Sequence, residues 1–239
     1  MTLRLGILGF NGRMGQLLVS EALRRSDCKL SALYWRQAKY GAHLPPCLVS
    51  TDLDEVLAAC DIAVELTTPD AAVIFAGKAA EHGRPLVTGT TGLNDAQQKI
   101  LESAAQSIPL LQAPNTSLSL AVTKQIVTLA ARLLRGRDYD TGIGDRHHRH
   151  KKDAPSGTAK ALGAAVLAGD PEREPAYAAL RLGAIVGEHE VIFAGQGEII
   201  RIQHSVTDRA IFARGALDAA LWLHGKPPGF YGMNDVLSL

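Results

Sequence analysis

Short apolar runs alternate regularly with segments of helical periodicity through the amino-terminal half of this chain. Strands are predicted at residues 3–8, 30–34, 61–66, 85–87 and 109–111, and helices at 13–25, from 52 onward, at 70–81 and at 94–106. Asp52 with Glu55, and Asn94, supply the expected amino-terminal caps of the second and fourth helices. Because each helix returns the chain to the same edge of the sheet, the pattern predicts an α/β fold with a parallel sheet and helices on both faces.

The pattern changes after about Asn115. Helices are predicted at 118–134, 156–167 and 208–223, and strands at 188–194 and 198–206. The two strands alternate apolar and polar residues, and the Gly195-Gln196-Gly197 sequence between them is typical of a hairpin turn. The second half is therefore predicted to be an α+β region whose strands are antiparallel and have one face in solvent.

A glycine-rich loop joins the first predicted strand to the first predicted helix. Gly9, Gly12 and Gly15 have G-x-x-G-x-x-G spacing, with Asn11 where the usual dinucleotide fingerprint has its middle glycine. Glycines at these positions permit a tight turn and a close approach to a pyrophosphate, which the helix amino terminus attracts. The loop indicates dinucleotide binding by a Rossmann-like, doubly wound sheet; the alternative is an ordinary strand-to-helix turn without a ligand.

The residues that end the second predicted strand bear on the choice of cofactor. NAD-preferring sites usually place an acid there, on the ribose hydroxyls. This chain has Tyr34, Trp35 and Arg36 instead, and Arg36 suits a 2′-phosphate. We expect NADPH to be preferred over NADH, unless Arg36 is only a solvated surface residue.

Residues 146–158 concentrate cations ahead of a predicted helix. The N–H groups of Gly157 and Thr158 at the start of that helix suit a substrate carboxylate, and a histidine and a lysine nearby are proton donors near neutral pH. The alternatives are a solvated charged face, a nucleic-acid patch, or a metal site built on the histidines of the segment. Interleaved aromatic residues that would favour nucleic acid are missing, and no matching cysteine or carboxylate cluster is evident for a metal, so neither is expected.

Charge and cysteine content restrict partners and compartment. The 239 residues carry a formal net charge of +1, so neither a polyanion nor a membrane is expected as a partner. Three cysteines without metal-like or redox-like spacing indicate a reducing compartment. No apolar run approaches the roughly 20 residues of a membrane span, and no leader is recognised before the first strand. A cytoplasmic enzyme is therefore expected.

Several segments resemble the dihydrodipicolinate reductase family. They are Gly12-Arg13-Met14-Gly15 and residues 87–92, 113–115, 147–159, 185–189, 212–216 and 226–229. The resemblance covers essentially the whole chain, and the string at 147–159 is long and specific.

The resemblance implies a domain organisation and a reaction. It implies a dinucleotide-binding domain at 1–117, an inserted substrate-binding and tetramer-forming domain at 118–207, and a carboxy-terminal segment at 208–239 that returns to the first domain. The implied reaction reduces the cyclic imine formed from 4-hydroxy-tetrahydrodipicolinate to tetrahydrodipicolinate, in diaminopimelate and lysine biosynthesis. Hydride passes from the nicotinamide to the ring and a proton to the neighbouring carbon. A small dicarboxylate ligand and a homotetramer are therefore expected, with the basic segment facing the glycine loop across a shared crevice.

The resemblance also carries functional positions onto this sequence. The family's proton donor falls on His147 and its lysine donor on Lys151, and its substrate-binding positions fall on His148, Gly157 and Thr158. The expected cofactor-binding residues, with Arg36 included, are Gly9, Phe10, Asn11, Gly12, Arg13, Met14, Arg36, Gly89, Thr90, Thr91, Pro114, Asn115, Thr116 and Ser117.

This sequence departs from the family at several places. Trp35 stands where many members carry an acid, Thr68 where an arginine is common, and Thr116 where an aromatic residue is usual. The chain is also short, so the loops around Gly41 and Gly169 are expected to be trimmed. Two other functions remain open: another dehydrogenase of related fold that acts on a different carbonyl, and a non-catalytic dinucleotide sensor.

Overall fold

The structure of the chain is a computed structural model that describes residues 2–37 and 44–237. The chain divides into two compact units, the first made of residues 1–117 and 210–239 and the second of residues 118–209. The predicted trimmed loop around Gly41 lies outside the described residues.

The strands and helices are numbered separately, each in chain order. The strands are β1 (Leu3–Leu8), β2 (Cys28–Tyr34), β3 (Leu48–Ser50), β4 (Ile62–Glu65), β5 (Leu86–Thr88), β6 (Pro109–Gln112), β7 (Asp140–His147), β8 (Ala176–Arg181), β9 (Gly187–Gly195), β10 (Glu198–Val206) and β11 (Gly229–Tyr231). The helices are α1 (Arg13–Ala22), α2 (Leu53–Ala58), α3 (Pro69–Glu81), α4 (Asp95–Ala104), α5 (Leu118–Leu133), α6 (Gly157–Gly169), α7 (Ala210–Leu223) and α8 (Met233–Val236).

The first unit is built on a seven-stranded parallel sheet in the order β11-β6-β5-β4-β1-β2-β3. Its central strands are almost wholly buried, as continuous apolar runs in a parallel sheet should be. Helices α1 and α7 pack together, and α3 packs with α2 and α4. One buried cluster joins Leu8 and Leu110 of the sheet to Leu57, Phe75 and Leu101 of the helices. The predicted α/β, Rossmann-like fold class is confirmed.

Local sequence signals explain where two of the helices begin. Asn94 and Gln97 form a reciprocal capping box at the start of α4, in which the Asn94 side chain accepts from the Gln97 N–H. At α2 the Asp52 carboxylate accepts from the Asp54 N–H at 2.9 Å. Glu55 does not complete a box there, because its carboxylate instead accepts from the Ser50 hydroxyl at 2.7 Å.

The second unit contains a four-stranded sheet in the order β10-β9-β7-β8. The β9–β10 and β7–β9 pairs are antiparallel, whereas β7 and β8 are parallel, so the sheet is mixed and not purely antiparallel as expected. Gly197, with φ +83°, turns the chain from β9 into β10, in agreement with the predicted hairpin. Helices α5 and α6 pack on each other, and Val127, Leu162 and Phe193 lie in the buried cluster that they share with the sheet.

Several elements were not predicted, and some bounds differ. The unpredicted elements are β3, β7, β8, β11 and α8. Of these, β3 and β11 have three residues each and α8 has four, which is too short for a periodic signal. Helix α1 ends at Ala22, before the predicted end at Arg25, and α7 begins at Ala210. Gly169, where a trimmed loop was expected, is the last residue of α6.

Among the described residues, no helix has both the length and the apolar character that crossing a bilayer requires.

Candidate active site

The glycine loop turns the chain sharply from β1 into α1. Gly9 has φ +73°, a conformation that residues with a side chain rarely adopt, and its N–H donates to the Tyr34 carbonyl at 2.9 Å. Gly12 is the amino-terminal cap of α1 and has no side chain with which to occupy the helix end. A Cβ on Gly15 would lie 2.4 Å from the Gly9 carbonyl oxygen and 2.6 Å from the Phe10 Cα. Because none of these three positions carries a side chain, the amino terminus of α1 is open to a phosphate group.

We expect the Gly15→Ala substitution to weaken dinucleotide binding and to lower thermal stability. The added methyl group would overlap backbone atoms that have no flexible end to move, and overpacking of this kind costs about 1–3 kcal/mol. Fluorescence titration with NADPH and thermal unfolding measure the two effects. Gly77→Ala in α3 is the matched control, because a Cβ there meets nothing within 4 Å, and its stability should be unchanged or higher. Wild-type affinity and melting in Gly15→Ala would contradict the assigned role of the loop.

A pocket of about 280 Å³ lies at the carboxyl ends of the parallel strands in the first unit. It is lined by residues that follow β4, β5 and β6, together with Met14 of α1 and Phe212 of α7. The complete lining is Met14, Leu66, Thr67, Gly89, Thr90, Thr91, Ala113, Pro114, Asn115, Thr116 and Phe212. Ligands of open α/β sheets bind at this edge, so the pocket and the glycine loop together form a dinucleotide-binding candidate.

A buried carboxylate organises the rim of this pocket. Glu65 has no solvent exposure, and it accepts hydrogen bonds from the hydroxyl groups of Thr67, Thr88 and Thr90. Burial raises the pKa of Glu65, and the hydrogen bonds oppose that shift. The Thr67 N–H donates to both Glu65 and the Thr90 hydroxyl at 2.9 Å, so the network connects the chain beyond β4 to the chain beyond β5.

In the second unit, β7 ends at His147, whose side chain is 10% exposed. Its Nδ1 atom lies 2.8 Å from Oδ1 of Asp145, which occurs two residues earlier and therefore on the same face of the strand. On the opposite edge of the ring, a Cβ on Gly187 would lie 3.1 Å from Nε2. The glycine thus keeps Nε2 clear of a neighbouring side chain.

Asp145 is fully buried and accepts from several donors. Its Oδ2 atom accepts from the Ser156 N–H and from the Arg181 guanidinium, each at 2.9 Å. Burial alone would raise the pKa of Asp145, but the hydrogen bonds from Ser156 and Arg181 and the charge of His147 hold it below its usual value. Asp145 is therefore a carboxylate near neutral pH.

The positive groups around His147 favour its neutral form. Burial lowers the pKa of His147, the nearby charges of Lys151 and Arg181 lower it further, and Asp145 opposes them by raising it. His189 lies on the adjacent strand β9, with its ring centre 5.0 Å from that of His147. Burial and the proximity of His147 lower the pKa of His189 to about 4, so this second ring is neutral near physiological pH.

The amino terminus of α6 adjoins this cluster. Ser156 caps α6 by accepting from the Ala159 N–H at 3.1 Å, and its hydroxyl lies 3.2 Å from Nε2 of His189. Gly157 and Thr158 form the first turn, where the helix dipole is positive. Lys151 lies on the loop that leads into this turn, and its Nζ is 2.9 Å from the exposed Asp153 carboxylate. The positive end of the α6 dipole and the Lys151 ammonium could therefore both bind an anionic ligand, and the α6 end adjoins the histidine cluster.

The cluster has the atoms for a metal site but not a suitable charge. Asp145, His147 and His189 each offer a ligand atom, all within 4.8 Å of one another. Sequence reasoning had found no carboxylate partner for the histidines, and the structure corrects this with Asp145. However, the Arg181 guanidinium already neutralises the only carboxylate of the three, so a dication would leave excess positive charge in a buried site. We interpret the group as acid–base machinery and assign no metal.

Comparison with known proteins finds two family models that together match nearly the whole chain. Residues 3–116 match the family described as dihydrodipicolinate reductase, N-terminus, and residues 119–237 match dihydrodipicolinate reductase, C-terminus. The chain belongs to the dihydrodipicolinate reductase family. It is accordingly an NAD(P)H-dependent oxidoreductase, and the family resemblance inferred from the sequence is confirmed.

Individual relatives of this reductase family match over their full length. A 4-hydroxy-tetrahydrodipicolinate reductase from Stenotrophomonas maltophilia is 44% identical, with 98% of each chain covered. One from Zymomonas mobilis is 39% identical and covers 100% of this chain and 98% of the relative. A dipicolinate-bound dihydrodipicolinate reductase from Paenisporosarcina sp. TG-14 has the same fold, with a TM-score of 0.85 at 21% identity, and covers 98% of this chain and 99% of that one.

The structure brings together many of the residues that the reductase resemblance singled out. The expected cofactor-binding residues that line the pocket are Met14, Gly89, Thr90, Thr91, Pro114, Asn115 and Thr116. Those outside its lining are Gly9, Phe10, Asn11, Gly12 and Arg13 in the glycine loop, exposed Arg36 after β2, and buried Ser117. In the second unit, His147 contacts Asp145, His148 and Lys151 lie on the loop between β7 and α6, and Gly157 and Thr158 directly follow Ser156, whose N–H binds Asp145.

Sequence reasoning missed two sets of residues. In the pocket it missed Leu66, Thr67, Ala113 and Phe212, and in the histidine cluster it missed Asp145, Ser156, Arg181 and His189. A detectable signal existed for Leu66, the last residue of the predicted strand at 61–66, and for Thr67, which directly follows it. Phe212 lies in the segment 212–216 that resembles the family, but nothing local placed it at the pocket, since it comes from helix α7 and lies 96 residues beyond Thr116.

Proposed function

We propose that this enzyme reduces the cyclic imine formed from 4-hydroxy-tetrahydrodipicolinate to tetrahydrodipicolinate, a step of diaminopimelate and lysine biosynthesis. The observation that carries the proposal is the buried His147, which is held against a carboxylate on Nδ1 and clear on Nε2, beside a cationic helix start. The names of the full-length relatives support the same substrate.

The substrate carboxylates are proposed to bind at the beginning of α6. The N–H groups of Gly157 and Thr158 lie at the positive end of the helix dipole, which stabilises an anion there. Lys151 and His148 add positive charge or hydrogen-bond donors from the preceding loop. A dianionic ligand would displace Asp153 as the partner of Lys151, because both groups compete for the same ammonium.

His147 is proposed as the general acid. Reduction places electron density on the ring, and the protonated Nε2 of His147 donates a proton to the ring carbon next to the site of reduction. The pKa of free His147 is lowered, and binding of two carboxylates nearby adds negative charge that opposes this shift, so the ring takes up its second proton from solvent as the substrate binds. Lys151 is proposed to assist as a second donor.

NAD(P)H, when bound, supplies the hydride. The first unit fits this group, since Gly9 and Gly15 make a turn that no side chain could share and the adjoining pocket lies at the ligand-binding edge of the sheet. Asn115 shapes the far wall, where its side chain accepts from the Ser117 N–H at 2.9 Å. Thr116, which replaces a usual aromatic residue, is buried and donates its hydroxyl to the Phe212 carbonyl at 2.6 Å.

A preference for NADPH is proposed from Arg36, which is exposed directly after β2. We expect Arg36→Ala to raise the KM for NADPH about tenfold or more, because a hydrogen bond to a charged group contributes about 1.5–3 kcal/mol. The KM for NADH should hardly change, since NADH has no 2′-phosphate. Steady-state kinetics with both cofactors check this, and Gln37→Ala is the neighbouring control. A wild-type enzyme that strongly prefers NADH would contradict it.

The substrate is tested by following NADPH oxidation with imine generated by the preceding synthase. Turnover with this substrate, and not with amino-acid or aldehyde substrates, is the expected result. Turnover only with another carbonyl would favour a related dehydrogenase, and NADPH binding without any turnover would favour a sensor. We further propose a homotetramer in the cytoplasm, which sedimentation and cell fractionation would check.

A further inference from the structure

We propose that Asp145 is a positioning residue that holds one hydrogen of the His147 ring on Nδ1, so that the second proton, which the ring takes up from solvent to form the imidazolium, lies on Nε2 and is the one delivered. The inference rests on the proposed function, in which His147 is the general acid. It adds a residue to the machinery that neither the sequence signals nor the family resemblance had identified.

The two oxygens of Asp145 face different groups. Oδ1 lies 2.8 Å from Nδ1 of His147 and 3.4 Å from Nε2 of His189. Oδ2 accepts from the Ser156 N–H and the Arg181 guanidinium, which are both obligatory donors. These donors fix the rotation of the carboxylate and leave Oδ1 for the histidine side.

Among the residues that the structure describes around His147, the Asp145 carboxylate is the group that favours a proton on Nδ1. The charged and titratable groups near the ring are Asp145 on its own strand, Arg181 on β8, His189 on β9 and Lys151 on the loop before α6. His189 is neutral. Arg181 and Lys151 are cations, and their charges disfavour a protonated His147. Within this described surrounding, Asp145 stabilises the imidazolium and, in the neutral ring, the tautomer with hydrogen on Nδ1.

The same carboxylate also holds the start of α6, where the substrate is proposed to bind, next to His147. Because Oδ2 binds the Ser156 N–H at the cap of α6 while Oδ1 contacts His147, one buried side chain connects the general acid to the proposed carboxylate site. The side chain of Asp145 has no solvent exposure, so water does not compete for either oxygen.

The Asp145→Asn substitution should reverse the tautomer preference of the His147 ring. The amide oxygen must turn toward Ser156 and Arg181, since both are donors, and this places the amide NH₂ against Nδ1 of His147. An NH₂ donor there favours hydrogen on Nε2 and opposes the imidazolium. We expect turnover to fall about 10²-fold, as for other enzymes that lose the correct histidine tautomer, with little change in KM.

The pH profile gives a second readout. Asp145 raises the pKa of His147, so its neutralisation should lower that pKa further and move the alkaline limb of kcat/KM to lower pH. Asp140→Asn, an exposed carboxylate on the same strand, is the matched control and should keep the wild-type profile. Unchanged turnover and an unmoved alkaline limb in a folded Asp145→Asn enzyme would overturn the proposal.

A measurement on the wild-type protein keeps the test independent of variant folding and of substrate. Nitrogen-15 NMR of labelled histidine distinguishes the two neutral tautomers, and we expect His147 to carry its hydrogen on Nδ1. An Nε2–H tautomer in the wild-type enzyme would overturn the proposal. If the wild-type enzyme failed to reduce the imine, the proposed function would be wrong. The NMR measurement needs no substrate, so it would still test the role of Asp145.

Discussion

Replacing His147 with glutamine is expected to lower the turnover number for imine reduction by about 10²- to 10⁴-fold, the usual cost of losing a general acid. Glutamine keeps a polar side chain of similar reach but cannot deliver a proton near neutral pH. The buried carboxylate of Asp145 would lose its contact with the imidazole, so some loss of thermal stability should accompany the loss of activity. Stopped-flow or steady-state NADPH oxidation measures the rate.

NADPH affinity separates this prediction from a general collapse of the protein. The dinucleotide-binding candidate belongs to the first unit and His147 to the second, so the dissociation constant for NADPH should be nearly unchanged in His147→Gln. His150→Gln is the matched control, because His150 lies three residues along the same segment and is exposed. Near-normal turnover in His147→Gln, or an equal loss in His150→Gln, would remove His147 from the proton-donor role.

The fold of the first unit could be predicted because each of its main elements carries a strong local signal. Strand β1 is an apolar run that is buried in the centre of the sheet, and α4 begins at an asparagine that forms a capping box with Gln97. Burial on both sides makes a parallel strand apolar throughout, so its sequence alone reveals it. The short edge strands β3 and β11 lack that signal because they contain only three residues each.

Strand β7 escaped prediction for a physical reason that is connected to its function. Its buried positions are Thr141, Ile143, Asp145 and His147, so three of the four residues on the buried face are polar. A search for alternating apolar residues cannot recognise such a strand. Asp145 is accommodated in this buried face because it contacts His147 and accepts from the Ser156 N–H inside the protein, as expected where a site overrides the pattern that specifies the fold.

The missing members of the histidine cluster are distant in sequence. Arg181 lies 36 residues after Asp145, and His189 faces Asp145 only through the antiparallel register of β7 and β9. No local pattern announces such partners, because the sheet topology creates them. The resemblance to a family supplied the proposed acid and the proposed anion-binding positions, whereas the contact between Asp145 and His147 is visible only in the fold.

Replacing Lys151 with alanine is expected to impair both substrate binding and turnover. A hydrogen bond to a charged group contributes about 1.5–3 kcal/mol, so the KM for the imine should rise roughly tenfold or more. Turnover should also fall, because the proposed second donor is removed. Lys152→Ala is the matched control, since Lys152 is adjacent and exposed.

The pH dependence of Lys151→Ala should shift in the direction opposite to that of Asp145→Asn. The charge of Lys151 lowers the pKa of His147, so its removal lets that pKa rise toward the ordinary imidazole value. The general acid then stays protonated to higher pH. The alkaline limb of kcat/KM therefore moves to higher pH, even though the maximum value of kcat/KM falls. Lys151→Arg preserves the charge and should restore the position of the limb. A normal KM together with an unmoved limb in Lys151→Ala would mean that this ammonium acts on neither the substrate nor His147, and that its contact with Asp153 is its only role.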